Sequence, residues 1–68
     1  MENKIKALRH ENNLSQEKLA QMLGVSRQTI NSLEVGRYNP SIILAFKISK
    51  IFNLSIEDIF DYKEEENE

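Results

Sequence analysis

The chain of 68 residues has no cysteine and no tryptophan, and only one proline, one histidine and two glycines. Without cysteine there is no disulfide framework and no thiolate zinc site, so zinc fingers and ribbons are excluded. His10 has no second histidine with which to build an acid–base relay, and no metal centre made of protein ligands is expected. No run approaches the roughly 18 apolar residues of a membrane span, and the N-terminus lacks the charged, apolar and small-residue blocks of a signal peptide. The expectation is a cytoplasmic chain with no membrane partner. Gly24 and Gly36 are isolated and cannot form a phosphate-cradling loop. Glu57, Asp58 and Asp61 lack the alternating oxygen ligands and central glycine of a calcium loop. Complementarity with a helix dipole accounts for the first two more simply. Neither an enzyme nor a bound cofactor or metal is expected.

What is present suits one small core. Hydrophobic residues make up 40% of the chain and charged residues 29%, and a domain of this size buries about 60% of its unfolded surface. Residues 1 to 62 are expected to form one domain, followed by an acidic, disordered tail over 63 to 68. The net charge of −2 conceals an asymmetry. Residues 1 to 60 carry eight Lys and Arg against six Asp and Glu, a net of +2, whereas residues 61 to 68 carry one Lys against five acids, a net of −4. The body is mildly basic, so the overall charge does not argue against an anionic partner.

Helix punctuation is regular. Ser15, Ser26, Ser41 and Ser55 each stand before a helical pattern, and serine caps a helix by accepting an orphan amide hydrogen of the first turn. Ser55 with Asp58 resembles a capping box, and Leu14, Val25 and Leu54 sit where an apolar residue staples the first turn. Gly24 and Gly36 can stop helices in the left-handed conformation, and Asn39-Pro40 forces an extended or turn segment. The spacing predicts five helices over 2–11, 16–23, 27–34, 42–52 and 56–60, and no strands. Ile5 and Leu8 give the first helix an apolar face, with Lys4, Lys6 and Arg9 outside it. Leu19, Ala20 and Leu23, then Ile30 and Leu33, then Leu44, Ala45, Ile48, Ile51 and Phe52 continue the core, with Ile59 and Phe60 closing it.

Residues 15 to 34 form two short helices joined through Leu23-Gly24-Val25-Ser26. Such a short turn makes the helices cross steeply, with Ala20 small at the crossing and Val25 plugging the turn into the core. This is the outline of a helix-turn-helix. The second helix turns Ile30 and Leu33 inward and offers Arg27, Gln28, Asn31 and Ser32 outward, with no acid from Arg27 to Ser32. Arg, Gln and Asn are the side chains that make paired hydrogen bonds to base edges.

Here the sequence resembles the helix-turn-helix family of phage repressors, Cro proteins and small standalone bacterial regulators. LSQEKLAQMLGVSRQTINSLEVGRYNPS, residues 14 to 41, carries the likeness, which extends over residues 3 to 60. The resemblance implies an all-α, compact five-helix, lambda-repressor-like DNA-binding domain. It also implies that Gln16 starts the first motif helix and orients the protein against the DNA backbone. Arg27, Gln28 and Ser32 match recognition-helix positions that face bases, with Asn31 flanking them, and Ser26, Arg37 and Tyr38 lie near positions that approach phosphate. Family members commonly read Leu-Glu-Asn-Gly after the recognition helix, whereas this chain reads Leu33-Glu34-Val35-Gly36 and loses an amide that often meets phosphate. From the residues alone, Arg9 could touch phosphate or pair with an acid such as Glu34. The resemblance implies a buried arginine–glutamate bridge between the first and third helices.

Ile42, Ile43, Phe46 and Tyr62 are an apolar surplus. The fourth helix is apolar nearly all round, and four other short helices cannot hide it, so Ile43 or Phe46 should cover a partner. A homodimer through Ile43, Phe46, Ile56 or Phe60 would leave both recognition helices free for a palindromic site in double-stranded DNA. The expected function is sequence-specific regulation of transcription, most simply repression. The alternative is a protein-interaction module, such as an antitoxin-like partner, whose DNA contacts are secondary.

Overall fold

Serine hydroxyls set four of the helix starts in the computed structural model, which describes residues 1–61. The elements are β1 (Glu2–Asn3), α1 (Ile5–Glu11), α2 (Gln16–Leu23), α3 (Arg27–Glu34), α4 (Ile42–Phe52), α5 (Ile56–Ile59) and β2 (Phe60–Asp61). Ser15 accepts from the Lys18 amide at 2.9 Å, and Ser26, Ser41 and Ser55 accept from Thr29, Leu44 and Asp58 at 3.1 Å each. Each bond satisfies one of the orphan donors of a first turn. The helix ends are equally uniform. Asn13, Gly24, Gly36 and Asn53 all adopt positive φ. In each case the next residue's amide reaches back to a carbonyl in the last turn: Leu14 to Arg9, Val25 to Ala20, Arg37 to Ser32 and Leu54 to Ser49. Two of these stops use asparagine, the other residue that tolerates this conformation.

The ends of the domain depart from the sequence expectation. Helix one begins at Ile5 and helix five ends at Ile59. The flanking residues instead form a two-stranded antiparallel ribbon, Glu2 opposite Asp61 and Asn3 opposite Phe60. Asn3 explains the late helix start. Its carboxamide nitrogen donates to the Leu33 carbonyl at 2.7 Å, and its oxygen accepts from the Ile5 amide at 3.1 Å. The Lys4 amide donates to the Ile59 carbonyl at 2.9 Å. The chain is thus held extended until Ile5, and α1 has an asparagine two residues upstream in place of a side-chain cap. The acidic tail expected over 63–68, with Tyr62, lies outside the described residues.

Ile5, Leu19, Ala20, Leu23, Ile30, Leu33, Leu44, Ala45, Ile48, Ile59 and Phe60 form the core, and Leu8, Leu14, Val25, Ile51, Phe52, Leu54 and Ile56 pack half-buried around it. Phe60 is only 6% exposed, so most of its ring serves the core and only an edge is left at the surface. Arg9 leaves the outer position that periodicity gave it and takes the buried one that the resemblance implied. It lies inside, 7% exposed, and among the described residues it is the one charged residue in the buried set.

Two bonds to the Glu34 carboxylate account for that burial: Arg9 Nε to Oε2 at 2.7 Å and Arg9 Nη2 to Oε1 at 3.2 Å. Arg9 Nη1 donates to the Leu14 carbonyl at 2.9 Å. The guanidinium therefore ties α1 and the turn after it to the end of α3. Burial works against ionisation of Glu34. Hydrogen bonds from Arg9 and Gln16, with the charges of Arg9 and Lys6, outweigh it and hold the carboxyl below its ordinary range. The hydrogen bond that Arg9 donates to Glu34 likewise holds the guanidinium more firmly protonated, against the opposing effect of burial.

Removing one partner of a buried ion pair costs about 3 to 5 kcal/mol, against roughly 0.2 to 1 for an exposed pair. Urea unfolding of Glu34→Ala should show a loss in the larger range. A loss no greater than that of Glu57→Ala, an exposed control, would remove the pair from the stability account. The pair also sets a pH dependence. A carboxyl lowered in the folded state contributes stability that is complete above its unfolded pKa of about 4.3 and is lost as pH falls through the folded value. Stability of the native chain should therefore fall below about pH 5. An Arg9→Met/Glu34→Met chain should lose less over the same interval, and parallel curves would refute the linkage.

Candidate nucleic-acid interface

The α2–α3 pair is built by the turn described above. Gly24 at φ +73° reverses the chain, and Val25 packs against the core. Ile30 and Leu33 are each fully buried, which fixes the rotation of α3 about its axis. The opposite face then follows from helical geometry: Arg27, Gln28 and Asn31 are exposed, and Ser32 is half-buried. The surface between positions 27 and 33 contains no acid.

Gln16, at the start of α2, lies beside this face. Its Oε1 accepts from Arg27 Nε at 3.4 Å, and its Nε2 lies 3.5 Å from Asn31 Oδ1. The same nitrogen donates to Glu34 Oε1 at 3.1 Å. Gln16, Arg27 and Asn31 are thereby brought together, while Gln28 and Ser32 stand on the other flank. Ser26, Gln28, Thr29, Ser32 and Tyr38 line a shallow depression of about 240 Å³ there. Arg37 and Tyr38 are exposed and held near α3 because both of their amides donate to the Ser32 carbonyl, at 3.0 and 3.3 Å. Ser26 is exposed, but its hydroxyl is engaged by the Thr29 amide and lies 2.9 Å from the Thr29 hydroxyl.

One participant and one contact escape a reading of the sequence. Thr29 shares the cap of α3 with Ser26; its position three residues after the capping serine, where a capping box places Glu or Gln, was the available signal. Glu34 reaches Gln16 from the far end of α3, across a separation that no local pattern reports. Val35, where the family commonly has asparagine, is 60% exposed and brings no side-chain amide to the loop.

Four of the acids are gathered elsewhere. Glu2, Glu57, Asp58 and Asp61 line a hollow of about 390 Å³ at the ribbon and α5, together with Lys4. Among the described residues no cluster of His, Cys, Asp or Glu is arranged to hold a metal ion. No helix there is long and apolar enough to cross a membrane.

Comparison with known proteins agrees with this architecture. A helix-turn-helix family model matches residues 5–59. An uncharacterized HTH-type transcriptional regulator of Methanocaldococcus jannaschii is 58% identical over 66 residues, covering 97% of this chain and 100% of the relative. The uncharacterized HTH-type transcriptional regulator YgzD of Bacillus subtilis is 51% identical over 67 residues, covering 98% of this chain and 100% of the relative. Among solved structures, the restriction-modification controller protein C.AhdI from Aeromonas hydrophila is similar with a TM-score of 0.74 and 28% identity, over 84% of this chain and 86% of that one. A lambda-repressor-like fold, a complete α2–α3 motif and relatives of matching length lead to one conclusion: the chain belongs to the helix-turn-helix family and is a DNA-binding transcriptional regulator.

Proposed function

We propose that the protein is a sequence-specific repressor that binds a palindromic operator in double-stranded DNA as a homodimer. The observation that carries the DNA-reading half is the outer face of α3, where Arg27, Gln28 and Asn31 stand exposed on a helix whose rotation the core fixes. In the major groove, arginine pairs with the O6 and N7 of guanine, and glutamine or asparagine with the N6 and N7 of adenine. Ser32 adds a hydroxyl, which pairs with either kind of base edge. Gln16, Ser26, Arg37 and Tyr38 surround this face and serve as backbone contacts, which supply register and much of the affinity.

The dimer half rests on α4. Ile42, Ile43 and Phe46 are 67, 66 and 54% exposed. Beside them Pro40, Ile42, Ala45, half-buried Ile56 and the buried edge of Phe60 line an apolar hollow of about 510 Å³. Burying one such large apolar side chain contributes about 1.5 to 3 kcal/mol, so a self-complementary contact through this patch has enough driving force for a two-fold dimer. Two recognition helices then meet successive major-groove faces about 34 to 36 Å apart. Repression is the simplest consequence, because a protein seated on a promoter excludes polymerase without any further domain.

Gln28→Ala should cost about 1 to 3 kcal/mol on the preferred duplex and relax the preference at one base pair. Binding at fixed salt to matched and singly substituted duplexes measures this. Equal losses on every duplex would leave Gln28 a backbone role only. Sedimentation of the native chain with a palindromic duplex should give two protein chains per saturated site, and Ile43→Glu and Phe46→Glu should reduce this to one. One native chain per site would defeat the dimer. A dimer indifferent to both substitutions would exclude the α4 patch as its interface.

A further inference from the structure

Arg27 has a side-chain partner beside it on the outer face of α3. Its Nε is turned towards Gln16 Oε1, 3.4 Å away, while Gln16 Nε2 is turned towards the buried carboxylate of Glu34, 3.1 Å away. A carboxamide has one accepting end and one donating end. Ionised Glu34 can only accept, so a flipped Gln16 would set two oxygens face to face. The polarity of the Gln16 amide is therefore fixed from inside the domain, and its oxygen is the atom left for Arg27. The guanidinium has two edges with which to form a paired contact: the outer edge with Nη1 and Nη2, and the side edge that includes Nε. Engaging Nε inward removes the side edge and leaves the outer fork.

We propose that Glu34 and Gln16 are positioning residues for base recognition: the chain Glu34–Gln16–Arg27 directs the Nη1/Nη2 fork of Arg27 at a guanine in the major groove. Guanine is the base that fits, since its O6 and N7 both accept and match two parallel N–H donors. The proposal rests on the reading of α3 as the base-reading helix. It gives the Arg9–Glu34 pair a second task, because Arg9 holds the carboxylate ionised and in place for Gln16. Glu34 touches no base, and acts through two side chains.

The test uses the full chain and the duplex it selects from a random library. Affinities are measured at fixed salt for that duplex and for each single base-pair substitution of it. Arg27→Ala identifies the guanine in question as the position where preference disappears. Gln16→Met, which keeps the volume and leaves the Arg9–Glu34 pair intact, should lower the preference for that guanine about threefold or more. Glu34→Gln should lower it similarly, and the double variant should lower it no further than either single change, since all three break one path. The readout is a ratio of affinities, so a fraction of unfolded protein scales both members and cancels. If Glu34→Gln does not fold, Arg9→Met/Glu34→Met replaces it with the same expectation. An undiminished guanine preference in Gln16→Met and in the Glu34 variant would overturn the proposal.

A loss in Arg27→Ala that is equal on all duplexes would instead refute base reading by Arg27. Nuclear magnetic resonance of the free protein still decides the relay in that case. Arg9→Met/Glu34→Met should shift the Gln16 side-chain amide protons and the Arg27 Nε proton together. A shift at Gln16 with Arg27 unmoved would refute the relay without reference to DNA.

Discussion

The bond pair between Arg9 and Glu34 lies where three parts of the chain must agree. Arg9 belongs to α1, its third nitrogen holds the turn at Leu14, and Glu34 closes the last turn of α3. An ion pair this hidden contributes little as a bare attraction, because desolvation offsets most of the Coulomb energy. Its value is geometric. A planar fork on a planar carboxylate tolerates few relative orientations, so α1 and α3 can dock only in a narrow range. The apolar side chains around it supply most of the free energy, but Ile and Leu pack acceptably in several arrangements. The geometry of the polar pair favours the one in which the fork meets the carboxylate.

The rest of the domain extends this logic outward. Asn3 does for the start of α1 what the serines do for the other helices, and at the same time fastens to the Leu33 carbonyl beside the pair. The four left-handed stops keep every loop of the helical body short, so the outer face of α3 inherits its orientation from the core with little slack. Charge is distributed to match. Arg27 and Arg37 stand exposed on or beside α3, while Glu2, Glu57, Asp58 and Asp61 collect at the ribbon and α5. A mildly basic body can therefore present a cationic face although the full chain is acidic.

Much of this was legible from the residues. Serine caps, glycine stops and the period of the apolar positions located α2, α3 and α4, because each is a local signal repeated within one or two turns. The boundaries of α1 and α5 were not legible. They depend on Asn3 meeting Phe60, and a two-residue strand carries no alternation to detect. Arg9 was misplaced by periodicity for a related reason: an arginine reads as surface until its partner in another helix is known. The resemblance to phage repressors supplied that partner, which spacing alone could not. Asn13 and Asn53 stop helices just as the glycines do, but asparagine is common enough in loops that nothing marked these two as left-handed. The positions of Arg27, Gln28 and Asn31 on the outer face follow from the buried Ile30 and Leu33, whereas the Gln16 contact with Glu34 needed the tertiary structure.

The small ribbon has a kinetic side. Pairing Asn3 with Phe60 closes almost the whole chain into one loop. The entropy of such closure rises slowly with length, about 0.6 kcal/mol for each doubling, but it must be met before any distant contact rewards it. The crossing of α2 on α3 joins near neighbours in sequence and does not have to wait. Sequence separation thus favours the α2–α3 pair early in assembly and the clasp late.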